Sequence, residues 1–331
     1  MMSKVAIRNV YMDYLLSTQG HISATDLSEV VDNEYSHDQI SRMLYHADVD
    51  DKKLYRQSKR IIKAQNGESK KVLILDDSVQ PKPHSKVNGM IAYHYDHSQQ
   101  RCIKGINFIS ALWADDQCSI PVSMKVVVKE LQWDHKRQQE AWKVVQTKNE
   151  IFREMVGKLT RNGQIDYVLA DSWYASKENM DFITTDCKTQ FVMAIKSNRL
   201  ATRSEKDSQK GIYKPLQDLR LGKCAVKVYL NELDYEGIFT LYKRRWKVEE
   251  YHKSLKSNCS LGKCQASSHS SQQSHFYLAV LAFIQLEKAR MSKGKNHFGL
   301  IRDINILTCK YGLLVVKKYL HTTLTSLQKA A

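Results

Sequence analysis

The chain has 331 residues, with 51 Lys or Arg against 35 Asp or Glu, which gives a formal net charge of +16. Its 42% hydrophobic content, with only 13 Gly and 4 Pro, excludes a disordered chain and a collagen-like repeat and indicates a globular protein. So large a positive charge destabilises a compact chain by self-repulsion, which a polyanionic partner such as nucleic acid would relieve. A soluble basic surface without such a partner is the plainer alternative.

The sequence contains no candidate membrane span. The longest apolar run, Phe276 to Ile284, is about half of the roughly 20 residues that a span needs. The amino terminus lacks the apolar block of a secretory signal, so we expect a cytoplasmic protein. The seven cysteines are odd in number and widely scattered, which favours reduced thiols over a disulfide framework.

Three helices are predicted at the amino terminus. Residues 5–17 place apolar side chains on one helical face, and a second, short helix covers Thr25 to Val31. The pattern Ser36-x-x-Gln39 is a capping box that opens a third helix, ending near His46. Together they predict a small helical domain over residues 1–66.

The second and third helices could form a helix-turn-helix that reads DNA, or a small bundle that only packs on the rest of the chain. In the first case the third helix would present four polar side chains to a DNA groove: His37, Asp38, Ser41 and Arg42. The segment from Lys52 to Gly67 is predicted to be a basic connector.

An α/β pattern begins at Lys71. Two buried strands, Val72–Leu75 and Tyr167–Ala170, end on acids, which are Asp76-Asp77 and Asp171. Ligands gather at the carboxyl ends of such strands. The other predicted elements are strands at 90–95, 106–113 and 121–128, a long helix over 136–159 and a helix over 176–185.

The carboxyl-terminal part is predicted to begin with a strand at 191–195. Strands at Ala225–Leu230 and Gly237–Leu241 suggest a β-rich insertion at about residues 188–240. A basic helix follows from about Thr240, and the chain from Ser274 onward is mainly helical.

The segment from Tyr242 to Lys256 carries the most informative pattern. Tyr242, Arg245, Glu249 and Lys256 are offset by 3, 7 and 14 residues, so a continuous helix would place all four on one face. Glu249 could bind a metal ion while the other three bind phosphate oxygens. Taken alone, the pattern is more typical of a solvated charged face with Glu–Lys pairs.

The spacing Tyr-x2-Arg-x3-Glu-x6-Lys resembles the signature of a large group of bacterial insertion-sequence DDE transposases. The apolar strands that lead into Asp76-Asp77-Ser78 and Asp171-Ser172-Trp173-Tyr174 resemble the two Asp blocks of that family. The segment from Phe191 to Asn198 resembles the strand that the family places between its second Asp and its Glu. The similarity runs from about residue 70 to 290.

The resemblance implies a ribonuclease H-like catalytic core at 70–290, with the β-rich insertion before the Glu helix and a basic helical segment at 291–331. It implies that Asp76, Asp171 and Glu249 converge to bind two Mg²⁺ ions, with Mn²⁺ as a substitute, for in-line displacement at phosphorus. The implied partners are double-stranded DNA, as transposon-end inverted repeats and target DNA, and a second copy of the chain. Tyr242, Arg245 and Lys256 would bind DNA phosphates.

Two neighbouring pairs of acids leave a choice. Asp76 and Asp77 point to opposite faces of a strand, and the Asp-x-Ser form favours Asp76. Glu250 lies about 100° around the helix from Glu249, away from Arg245, which favours Glu249.

The other candidates are weaker. The spacing of Cys259, Cys264, His269 and His275 does not fit a zinc finger. We expect His94, His97 and His252 to be surface or phosphate-side residues, and Trp173 and Trp246 to be core residues or stacking platforms for a displaced base. The alternatives to a transposase are a transposase-derived DNA-binding protein or repressor that no longer cuts, and a cellular ribonuclease H-type nuclease.

Overall fold

The computed structural model describes residues 4–330 except 48, 66, 97–99, 162–164, 203–204 and 219–234. Its helices are α1 (Lys4–Ser17), α2 (Ala24–Val30), α3 (His37–Tyr45), α4 (Asp51–Lys63), α5 (Lys148–Thr160), α6 (Lys177–Asp181), α7 (Glu205–Gln209), α8 (Tyr235–Lys243), α9 (Trp246–Asn258), α10 (His269–Lys293) and α11 (His297–Ala330). Its strands are β1 (Val72–Pro81), β2 (Ile91–Asp96), β3 (Arg101–Ala114), β4 (Ser119–Val126), β5 (Lys129–Asp134), β6 (Gln139–Val144), β7 (Tyr167–Ala170), β8 (Gln190–Met193), β9 (Leu200–Ala201) and β10 (Lys214–Pro215).

The described chain forms two compact units. One contains the residues up to Val49 together with those from Lys253 onward, and the other is Asp50–His252. None of the helices in the described ranges combines the length and the hydropathy that crossing a bilayer requires. The domain limits 1–66, 70–290 and 291–331 stay predictions.

The unit Asp50–His252 is built on a mixed six-stranded sheet. Its main path is β2-β3-β1-β7-β8, and the long β3 pairs with β2 through its first half and with β4 through its second half. β1 and β3 are antiparallel, whereas β7 and β8 run parallel to β1. The predicted α/β fold is confirmed, and the order β4-β3-β1-β7-β8 fits the predicted ribonuclease H-like core.

The centre of the sheet is fully buried because β1 and β7 are apolar on both faces. Val72 to Leu75 and Val168 to Ala170 have no exposed surface. Helix α4 covers part of β4, where Asp51 accepts a hydrogen bond from the Met124 backbone at 3.1 Å and the Ser58 hydroxyl donates to the Pro121 carbonyl at 2.6 Å. The predicted basic connector at 52–67 is therefore mostly a packed helix.

The long helix predicted over residues 136–159 is wrong. Its first part is the strand β6, paired with β5 so that Trp142 lies opposite Leu131, and only α5 is helical. The turn before β6 places Gln138 in the left-handed region at φ 48°. Thr147 and Glu150 then form a capping box that starts α5, so the helix cannot extend further back.

A β-rich insertion is predicted at about residues 188–240. Its described part contains fewer strand residues than this prediction. The strands β9 and β10 have two residues each and flank α7. The predicted strand Gly237–Leu241 is wrong, because these residues lie in α8. The predicted strand Ala225–Leu230 lies outside the described residues.

In the other unit, α1, α2 and α3 pack with α10 and α11. The predicted capping box is confirmed: the Gln39 backbone donates to the Ser36 hydroxyl at 3.3 Å, and Gln39 accepts from the Ser36 backbone at 2.9 Å. Tyr11 of α1 hydrogen-bonds to His275 of α10 at 2.8 Å. The three amino-terminal helices thus share a core with helices from the far end of the chain.

Candidate active site

Two acids lie side by side, Asp76 in the middle of β1, which continues to Pro81 beyond the strand end predicted at Leu75, and Asp171 directly after β7. Leu75 and Ala170 pair in the parallel register, so the next residues, Asp76 and Asp171, follow at the same level of the sheet. Each carboxylate accepts a hydrogen bond from the next backbone N–H: Asp77 donates to Asp76 at 2.9 Å, and Ser172 donates to Asp171 at 2.5 Å. These bonds restrict how the two carboxylates can rotate.

Asp76 and Asp77 lie on opposite faces of the sheet. Asp76 pairs with Ser110, which hydrogen-bonds to His252 of α9 at 3.3 Å. Asp77 instead forms an ion pair of 2.5 Å with Lys148 of α5. Asp76 therefore lies on the side of the sheet that faces α9, the helix that carries Glu249, and Asp77 lies on the side that faces α5.

The guanidinium of Arg245 contacts the carboxylates of both Asp76 and Glu249. Its guanidinium lies 2.7 Å from a Glu249 oxygen and 3.7 Å from an Asp76 oxygen, and 5.8 Å from the centre of the Tyr242 ring. The single helix predicted over this segment is wrong, because a turn at residues 244–245 separates α8 from α9. The turn preserves the contacts among Tyr242, Arg245 and Glu249.

Burial and neighbouring carboxylates both make the charged form of Asp76 unfavourable. Burial, followed by the neighbouring charge of Asp77, raises the pKa of Asp76 to about 7, although Arg245 acts in the opposite direction. The charge of Asp171 raises this pKa further. A cation among these carboxylates would therefore be strongly stabilised.

The carboxylates do not form a closed metal-binding set in this arrangement. Within the described ranges, no three His, Cys, Asp or Glu side chains are placed to hold one metal ion. Glu249 is instead paired with Arg245, whose guanidinium contributes positive charge at that point. The donor set still fits a hard divalent cation in kind, because Asp76, Asp171 and Glu249 offer carboxylate oxygens.

The remaining predicted site residues lie in the other unit. Lys256 is on α9, seven residues after Glu249. His37, Ser41 and Arg42 are exposed on α3, whose other face buries Ile40, Met43 and Leu44. DNA binding by these four residues stays a prediction.

Two histidines differ from expectation. His94 and His252 are both buried, each with 7% of its surface exposed, so the prediction of surface positions is wrong for both. His252 packs edge-on against Phe108, with ring centres 5.4 Å apart. His97 lies outside the described residues.

Sequence reasoning missed Lys148 and did not assign Tyr174 a role. Lys148 contacts Asp77 at 2.5 Å, and the Tyr174 hydroxyl donates to the other Asp77 oxygen at 3.0 Å. The Thr147-x-x-Glu150 pattern was the available signal, because it places Lys148 at the first turn of a helix. Asp77, the partner of Lys148, lies 71 residues away along the chain, so this contact could not be inferred from spacing.

The chain matches a known protein family. A family model described as DDE superfamily endonuclease matches residues 4–218, which include Asp76 and Asp171 and end before Glu249. The chain belongs to this family. None of the curated proteins matches it.

Two solved structures show a weak likeness to the chain. One is the Mos1 transposase paired-end complex with the left transposon end, at 10% identity and a TM-score of 0.21, covering 81% of this chain and 80% of that one. The other is the Mos1 mariner paired-end complex with Mn, at 11% identity and a TM-score of 0.21, covering 85% of this chain and 77% of that one.

Proposed function

We propose that the protein is a DNA transposase of the bacterial insertion-sequence group with the Tyr-x2-Arg-x3-Glu-x6-Lys signature. It cuts DNA at transposon ends and joins the freed 3′-hydroxyl to target DNA. The observation that carries the proposal is the grouping of Asp76 on β1, Asp171 directly after the parallel strand β7, and the Arg245–Glu249 pair. Membership of the DDE superfamily endonuclease family and the net charge of +16 support it.

Asp76, Asp171 and Glu249 are the proposed ligands of two Mg²⁺ ions, with Mn²⁺ as a substitute. When bound, the ions activate the attacking water or hydroxyl group and stabilise the leaving 3′-oxygen. Glu249 can join the other two acids only if its carboxylate gives up the ion pair with Arg245. Asp76 must lose the proton that its raised pKa retains near neutral pH.

Arg245 would then exchange a carboxylate for a DNA phosphate. A guanidinium binds either group through two parallel hydrogen bonds, so the exchange needs no new chemistry. Tyr242 lies beside Arg245, and its burial raises the pKa of the hydroxyl, which keeps it a hydrogen-bond donor. Lys256 is proposed as a further phosphate contact.

The proposed DNA partners are the inverted repeats at the transposon ends and the target DNA. His37, Ser41 and Arg42 on the exposed face of α3 are the proposed groove contacts. Two copies of the chain would hold two ends, in the bacterial cytoplasm where the nucleoid lies.

A nicking assay tests this function. The substrate is a supercoiled plasmid that carries the DNA flanking the gene, where the inverted repeats should lie. We expect cuts at defined positions with Mg²⁺ or Mn²⁺, none in EDTA, and a gel shift of the same DNA in EDTA.

The same assay separates the alternatives. A gel shift without cleavage by any divalent ion would favour a transposase-derived DNA-binding protein or repressor. If the protein neither binds nor cleaves this DNA, both proposals are contradicted.

A further inference from the structure

Asp77 is the centre of a partly buried polar network on the α5 side of the sheet. One of its oxygens lies 2.5 Å from the Lys148 ammonium, and the other accepts the Tyr174 hydroxyl at 3.0 Å. The Lys148 and Asp77 side chains are only 24% and 19% exposed. Both carboxylate oxygens are therefore committed to protein donors from two different elements.

The network reaches both acids of the candidate active site through the backbone. The Asp77 N–H donates to the Asp76 carboxylate at 2.9 Å, so fixing Asp77 fixes that donor. The Tyr174 N–H donates to the Asp171 carbonyl at 3.0 Å, which closes the turn that follows β7. Asp77 thus links the middle of β1 to the turn that follows Asp171.

The two donors to Asp77 are themselves held in place. Tyr174 is fully buried and stacks on Phe152, with ring centres 4.9 Å apart and 20° between the planes. Its carbonyl accepts from the Asn179 amide at 2.9 Å. Lys148 stands at the start of α5, directly after the Thr147 cap, and lies 5.3 Å from the centre of the Trp173 ring.

Tyr174 stays protonated, as its hydrogen bond to Asp77 requires. Burial, and then the charges of Asp77 and Asp76, raise the pKa of Tyr174 well above its ordinary value. The hydroxyl therefore stays a donor at all ordinary pH values. A cation at a helix amino terminus is unfavourable with respect to the helix dipole, so Lys148 depends on Asp77 for compensation.

On the basis of the function proposed above, we propose that Asp77, Lys148 and Tyr174 are positioning residues that hold Asp76 and Asp171 for divalent-metal binding. They act through the backbone and do not touch the metal or the DNA. Partners of this kind, which orient metal ligands, commonly change metal affinity by about 10-fold to 100-fold when they are removed.

The test compares Tyr174→Phe and Lys148→Met with the matched control Lys158→Met. Lys158 lies on the same helix and forms an equally short ion pair, 2.5 Å from Glu154, away from Asp77. Mn²⁺ affinity is measured by electron paramagnetic resonance titration on the full chain. We expect about tenfold weaker binding or more in the two network variants, wild-type binding in the control, and recovery in Lys148→Arg.

A second readout needs no metal. Hydrogen exchange of the Asp77 amide in EDTA should be at least tenfold faster in Tyr174→Phe and Lys148→Met than in wild type or in Lys158→Met. Wild-type exchange at this amide in both network variants would overturn the inference, as would Mn²⁺ affinity within twofold of wild type. A wild-type protein that binds no Mn²⁺ and cuts no DNA would instead overturn the proposed function. In that case hydrogen exchange at the Asp77 amide would still test whether Lys148 and Tyr174 hold Asp77 in place.

Discussion

The Arg245 guanidinium lies 2.7 Å from a Glu249 oxygen and 3.7 Å from an Asp76 oxygen. It therefore occupies the place between the two carboxylates where the proposed chemistry requires a divalent ion. A guanidinium and a divalent cation compete for the same oxygens in such a place. We therefore expect Arg245 to leave this position when a metal ion binds.

The first prediction concerns this competition. Arg245→Gln removes the competing charge, so it should bind Mn²⁺ several-fold more tightly than wild type in the absence of DNA. DNA should increase the Mn²⁺ affinity of wild type, because a phosphate draws Arg245 away, and should have little effect on the variant. Equal Mn²⁺ affinities in wild type and variant, measured by electron paramagnetic resonance titration, would show that Arg245 does not compete.

The second prediction separates neighbouring acids. Asp76→Asn, Asp171→Asn and Glu249→Gln should each reduce nicking by about 1,000-fold or more, because charge stabilisation at the reacting phosphate is lost. Glu250 is exposed and serves as the matched control for Glu249, so Glu250→Gln should cut like wild type. All four variants should still shift DNA in EDTA. A Glu250→Gln loss as large as that of Glu249→Gln would refute the assignment.

The third prediction follows from the pKa of Asp76, which is about 7 in the fold against a reference of 3.8. The folded protein retains a proton between these values that the unfolded chain releases, so this stabilisation is full below about pH 4 and is lost as the pH rises through about 7. In EDTA, Asp76→Asn should therefore be more stable than wild type at pH 8, by on the order of 4 kcal/mol. The advantage should shrink towards pH 5. Chemical unfolding at both pH values measures it, and a constant difference would contradict the raised pKa.

The fourth prediction concerns DNA affinity. Phosphate contacts release counterions, so binding should weaken by about 100-fold or more between about 50 and 200 mM salt. Arg42→Gln should reduce the slope of log affinity against log salt by about 1. Arg161→Gln, which removes an exposed arginine after α5, is the control and should leave the slope unchanged. Fluorescence anisotropy with an end duplex gives both slopes, and an affinity that does not change with salt would contradict phosphate binding.

The sequence predicted the centre of the fold and two acids of the site because these depend on short apolar runs. A buried parallel strand appears as a continuous apolar stretch, and Asp76 and Asp171 directly follow such stretches. The opposite directions of Asp76 and Asp77 follow from the period of two along a strand. The spacing of Arg245 and Glu249 likewise predicted that they share a face, and the two remain in contact despite the break between α8 and α9.

The remaining features depend on contacts that no local pattern records. Trp142 and Val145 fit a helical period whereas Trp142 and Val144 fit a strand period, and pairing with β5 decides for the strand. The burial of His94 on β2 depends on tertiary contacts and not on its neighbours in sequence. Lys148 acquires its role only from Asp77, far away along the chain.

The most direct test of the account is the position of Mn²⁺ in a crystal of the protein with an end duplex, read from the anomalous scattering of the metal. We expect the Mn²⁺ signal among the carboxylates of Asp76, Asp171 and Glu249, with Arg245 turned to a DNA phosphate. Mn²⁺ bound at a different set of residues, with Glu249 still paired to Arg245 in the presence of DNA, would contradict it.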